Sequence, residues 1–99
     1  MPKYDQDELL LRLSEFFKAL SDYSRMKIIY ELLNGELCVN DIVKKVNMTQ
    51  TAVSYQLKLL RQMHLVKYRR SGQKVLYSID DEHVHQIINI SIDHIEEDK

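Results

Sequence analysis

The sequence predicts a mainly α domain with one β-hairpin, in the order ααααββα. Three observations carry that expectation. Apolar residues recur at helical spacing in five separate stretches; the runs "VKYRR" and "KVLYSI" are short, β-branched and aromatic; and one proline in 99 residues leaves little to interrupt the helices. With 44% apolar content, residues 1–99 make a single compact domain that can bury one core but not two.

Leu9, Leu10, Leu13, Phe16, Phe17 and Leu20 follow the i, i+3, i+4, i+7 rule and predict a first helix over about residues 6 to 20. Ser21-Asp22 stops it, and Asp22 can cap a second helix that draws its core from Met26, Ile28, Ile29, Leu32 and Leu33. Asn34-Gly35 is a strong stop. A short third helix has Asn40 or Asp41 near its start, turns Ile42, Val43 and Val46 inward, and closes at Asn47. Thr49 then caps a fourth, with Ala52, Val53, Leu57, Leu60 and Met63 at helical spacing. Two helices joined by so short a turn have the shape of a helix-turn-helix. The two β runs, turned by Ser71-Gly72, form a wing beside it, and a last helix begins at Asp80 or Asp81 with Val84, Ile87, Ile88, Ile92 and Ile95 as its apolar positions. The predicted fold is a winged helix-turn-helix.

The net charge of −1 hides a segregation along the chain. Residues 1 to 41 hold five basic and eight acidic side chains, and residues 80 to 99 hold seven acids and one lysine. Between them, residues 42 to 79 carry eight cations (Lys44, Lys45, Lys58, Arg61, Lys67, Arg69, Arg70, Lys74) and no carboxylate. Such a stretch is the electrostatic footprint of a phosphate-contacting surface. With Val53 and Leu57 inward, the fourth helix presents Gln50, Thr51, Ser54, Tyr55 and Lys58 outward, near the end that meets base edges in a major groove. Lys58, Arg61, Arg69, Arg70 and Lys74 would set register on phosphates, and Val39, at the start of the third helix, joins this candidate surface. Double-stranded DNA is the expected partner.

The terminus "DEHVHQIINISIDHIEEDK" contains the spacing D-x-H-x10-H-x2-E, formed by Asp81, His83, His94 and Glu97. Eleven residues of helix rotate about 1100°, leaving the two imidazoles within about 20° of one face, but rise about 16.5 Å, so one helix cannot chelate one ion with both. An identical helix laid antiparallel would bring His83 opposite His94 of the second copy, and two-fold symmetry would repeat the site. The Ile-rich stripe between them reads as the seam of that homodimer. Two imidazole nitrogens and two carboxylate oxygens suit Zn(II) in a closed tetrahedral site, with Co(II) as its mimic. His85 lies about 200° round the helix from His83 and is expected on the surface, pointing away.

The stretches "FKALSDYSR", "GELCVND" and "TQTAVSYQLKLLRQMHLVKYRRSGQKVLYS", together with the terminal ligand pattern, resemble the ArsR/SmtB family of metal-sensing repressors across nearly the whole chain. The resemblance implies a dimeric winged-helix repressor that leaves its operator when metal binds. It implies an interhelical zinc site on the fifth α-helix, with Asp81 and His83 from one subunit and His94 and Glu97 from the other. It also implies a hydrogen bond in which the metal-bound His94 donates its free ring N–H to the main-chain carbonyl of His64. Family members with a thiolate site carry C-V-C where this chain has Cys38-Val39-Asn40, so the second sulfur is missing.

The expected function is therefore a zinc-responsive repressor that binds a palindromic operator as a metal-free homodimer. The alternative is a regulator of the same fold that senses another metal or thiol oxidation at Cys38. An enzyme is not expected: catalytic zinc keeps an open position, and neither a nucleophile nor a small-molecule substrate site is suggested. A single cysteine excludes an internal disulfide and fits a reducing cytoplasm. No apolar run reaches the roughly 20 residues that span a bilayer, so no membrane partner is expected.

Overall fold

A computed structural model describes residues 2–97. The element order is α1 (Gln6–Leu20), α2 (Tyr23–Leu32), α3 (Val39–Val46), α4 (Gln50–Gln62), β1 (Val66–Ser71), β2 (Lys74–Ile79) and α5 (Glu82–Glu96). Four helix starts have a local cause. Asp5, Asp22, Thr49 and Asp81 occupy N-cap positions in extended backbone, and each side chain accepts the N–H three residues on, from Glu8, Arg25, Ala52 and Val84. Gly35, after α2, has φ +135° with open space around it, so its backbone angle and not crowding calls for glycine.

One turn differs from expectation by a residue, and the α3 start is capped without the usual side chain. The N-cap of α3 is Cys38, which places Asn40 and Asp41 inside the first turn; the Cys38 thiol donates to the Asp41 carboxylate at 3.3 Å. Ser71 is still paired with Lys74, so the hairpin turn is Gly72-Gln73. Gly72 has φ +64° while Gln73 stays at negative φ, the glycine-first pattern of a two-residue hairpin loop.

The end of α4 carried no glycine signal. His64 takes the left-handed position there at φ 60°, its N–H bonding the Arg61 carbonyl at 3.1 Å, and the Leu65 N–H reaches back to the Leu60 carbonyl at 2.9 Å. These two bonds make a Schellman closure with a non-glycine residue where glycine is usual.

The core lies where α2, α3 and α4 meet the root of the hairpin. Ile28, Ile29, Ile42, Val53, Leu57 and Leu60 are fully enclosed, with Leu65 and Val66 sealing the strand side. Each such side chain contributes about 1.5–3 kcal/mol by leaving water. The strands pair antiparallel from Val66↔Ile79 to Ser71↔Lys74, and only those two root residues are buried, so the hairpin projects from the body as a wing. An isolated bridge joins Leu37 to Tyr77, fastening the α2–α3 connection to the wing.

The terminal helices are less covered. Helix α1 buries Ala19 and Leu20, and Phe16 partly, whereas Leu9, Leu10, Leu13 and Phe17 are about half exposed. In α5, Val84 and Ile88 face the core, but Ile90 and Ile95 are 66% and 78% exposed. An apolar groove of about 360 Å³ runs between the two helices, lined by Phe17, Leu20, Met26, Ile88, Ile92 and Ile95. Among the described residues no helix is long and apolar enough to cross a membrane.

Candidate nucleic-acid interface and metal-ligand cluster

Helix α4 presents two faces because its apolar residues are spaced three and four apart. Val53, Leu57 and Leu60 anchor it, and Gln50, Thr51, Ser54, Tyr55 and Lys58 are exposed on the other side. Its Thr49 cap takes up the Ala52 N–H, and with no acid in the first turn the helix start favours an anionic partner. Two half-buried side chains hold its orientation, neither found by sequence reasoning: Arg25 of α2 donates through Nε to Gln56 of α4 at 2.9 Å, and through a long contact of 3.5 Å to the Ala19 carbonyl. No periodic signal marks them, because the partners lie 31 residues apart.

The wing carries the remaining cations. Arg61 stacks on the Tyr68 ring at 4.7 Å from its centroid, and Tyr68 meets Tyr77 edge-on at 5.8 Å, so an aromatic strut links the end of α4 to both strands. Arg70 and Lys74 stand exposed toward the tip. Arg69 does not stand alone: its Nε and Nη2 donate to the two oxygens of Glu36, at 2.6 and 2.8 Å. Those hydrogen bonds hold the Glu36 carboxyl below its ordinary value against a smaller desolvation, helped by the charges of Arg69 and Lys67. Val39 is half-buried and packs against the core.

The ligand-type residues cluster at the two ends of α5. Asp81 Oδ1 accepts the Val84 N–H at 3.0 Å and lies 3.7 Å from His83 Nδ1, with the His83 side chain 88% exposed. At the far end His94 is in the last turn, and Glu97 is the C-cap residue, its N–H still bonded to the His94 carbonyl at 3.4 Å. The helical φ of −59° at Glu97 keeps its Cβ at the i+3 position relative to His94. Among the described residues of one chain, no three His, Cys, Asp or Glu side chains gather into a metal-holding group. The donor chemistry at the two ends nonetheless fits a divalent ion that prefers nitrogen and oxygen.

His85 is not a plain surface residue. It is half-buried, and its Nε2 lies 3.0 Å from the Leu33 carbonyl while Asn89 Nδ2 lies 2.7 Å from its Nδ1. A carbonyl only accepts, so Nε2 carries the proton and Nδ1 accepts from the Asn89 amide. The ring thus ties α5 to the end of α2, on the side away from His83.

A projecting two-stranded wing beside a helix-turn-helix whose outer face is polar defines the winged helix-turn-helix class of DNA-binding domains. A family model described as "Bacterial regulatory protein, arsR family" matches residues 22–68. The chain is 43% identical over 86 residues to a transcriptional repressor SmtB homolog of Synechocystis, covering 87% of this chain and 65% of that protein. It is 35% identical to the arsenical resistance operon repressor of Bacillus subtilis, covering 85% of this chain and 81% of that one. Among solved structures, the homodimeric winged helix-turn-helix DNA-binding domain of a possible ArsR-family regulator from Mycobacterium bovis superposes with a TM-score of 0.79 at 29% identity, covering 97% of this chain and 94% of that one. The chain belongs to the ArsR family of bacterial regulatory proteins. It spans less than two thirds of the length of the Synechocystis relative.

Proposed function

We propose that the protein is a homodimeric, zinc-released transcriptional repressor. The observation that carries this reading is the outer stripe of α5. His83, Ile87, Ile90, His94 and Glu97 follow one another at spacings of four, three, four and three, which keeps them on one face of a helix. His83 and Ile90 on that stripe are 88% and 66% exposed. The antiparallel two-fold that sets His83 against His94 of a second copy also sets Ile87 against Ile90, so one symmetry operation pairs apolar with apolar and ligand with ligand. The half-exposed leucines of α1 add apolar area that a second copy would cover.

In this reading Asp81 and His83 from one copy, with His94 and Glu97 from the other, would hold the ion. Bound Zn(II) would supply a closed set of coordinate bonds joining the two α5 helices. Asp81 enters with one oxygen already fixed by the cap, so its other oxygen is the one available. The His94 ring, oriented by such a bond, would present its remaining N–H toward the main chain of His64, at the end of the helix that carries Gln50, Thr51 and Ser54. Those side chains, with Tyr55, would meet base edges, and Lys58, Arg61, Arg70 and Lys74 would meet phosphates.

The test is a paired titration of the wild type and His94→Asn with a candidate operator, with and without saturating Zn(II). Zinc should weaken operator binding by the wild type, and operator should weaken zinc binding by the same factor. Unchanged operator affinity in zinc, or a full response in His94→Asn, would overturn the sensing reading. A Cys38→Ser variant addresses the alternative: loss of a thiol-oxidation response with no zinc response in either protein would favour it.

A further inference from the structure

Counted along the chain, Arg69 belongs to a segment with no carboxylate. In the fold, Glu36 faces it from 33 residues away and grips it with both oxygens. The backbone puts the carboxylate there: Leu37, the next residue, exchanges two hydrogen bonds with Tyr77, at 3.0 and 2.8 Å. Residue 36 is thereby held against the sheet, and Arg69 in β1 is on the adjoining strand. A two-bond pairing of guanidinium with two oxygens is also the geometry in which arginine grips a phosphate. Among the described residues, no ion pair engages Arg70, Lys74 or Lys58.

We infer that Glu36 is an internal stand-in for DNA phosphate, which holds Arg69 to the body so that Arg69 positions the wing and leaves phosphate contacts to Arg70 and Lys74. The inference rests on the proposed DNA binding. Its physical consequence is restraint: each phosphate not neutralised removes one step of counterion release and lowers sequence-independent affinity.

The experiment measures binding of the full chain to a duplex of arbitrary sequence between 50 and 200 mM salt, for the wild type, E36Q, R69A, E36Q/R69A and R70A. E36Q should steepen the log-log salt dependence by about 0.9, so that its affinity advantage grows about three- to fourfold from the high to the low salt. R69A should leave the wild-type slope unchanged, and R70A should make it shallower by about 0.9. In the R69A background E36Q should change nothing. An E36Q slope equal to the wild type, an R69A slope as shallow as that of R70A, or the same E36Q gain in both backgrounds (a general charge effect) would each overturn the inference. Absence of salt-dependent duplex binding by the wild type would instead remove the DNA-binding reading, and the inference with it.

Discussion

Replacing Asp81 by alanine deletes the oxygen that accepts the Val84 N–H at 3.0 Å at the start of α5. Loss of such a cap costs about 1 kcal/mol, within a range of about 0.5–2, and asparagine caps about as well as aspartate. In a domain of this size 1 kcal/mol moves the midpoint by about 4–8 °C. Asp81→Ala should therefore lower Tm by several degrees, whereas Asp81→Asn should stay close to the wild type. Thermal unfolding followed by circular dichroism, at one fixed protein concentration because self-association raises apparent stability, checks both. The same two variants should both bind zinc more weakly in competition with a chromophoric chelator, because each lacks the carboxylate. Wild-type stability in Asp81→Ala would refute the cap; equal destabilisation in both variants would show that charge, not the hydrogen bond, stabilises the helix start. Wild-type zinc affinity in Asp81→Asn would take Asp81 out of the ligand set.

His64→Gly should stabilise the protein by about 0.5–1 kcal/mol, since glycine adopts φ 60° without the side-chain penalty; chemical denaturation checks it, and an equal gain in His64→Ala would show that the imidazole and not the backbone is the cause. His85→Ala should cost about 1 kcal/mol by leaving the Leu33 carbonyl without its donor, and unchanged urea unfolding would contradict the cross-link described for it. The Glu36 carboxyl sits below its ordinary value when folded, so the stabilisation it contributes is present above the unfolded value of about 4.3 and is lost as pH falls through the lower folded value. The stability difference between wild type and E36Q should then be constant above about pH 5 and shrink below about pH 4; a difference that persists unchanged to about pH 2 would refute the assignment.

Helices with apolar residues three and four apart, preceded by Asp or Thr, were legible in the chain because these are local properties: capping and periodicity involve residues within a few positions of one another. The outward face of α4 followed from the inward one, and the separation of His83 from His94 followed from helical rise alone. The place where α4 ends was legible from its last apolar residue, Met63, but its left-handed closure at His64 was not, because no glycine marks it. The α3 start, with Asn40 and Asp41 in its first turn, was legible too, although Cys38 holds the cap position with no side-chain hydrogen bond to the backbone.

What tertiary structure alone decided depends on long-range placement. A sum of charges along residues 42 to 79 counts Arg69 as available, yet the Leu37–Tyr77 bridge carries Glu36 to it across 33 positions. Likewise His85 and Leu33, 52 residues apart, meet only because α5 packs over the end of α2. By itself the sequence determined which faces exist and which residues occupy them, since side-chain spacing is set by backbone period. Which of those faces are covered, and which cations already have a partner, was decided by packing between segments that no local pattern relates.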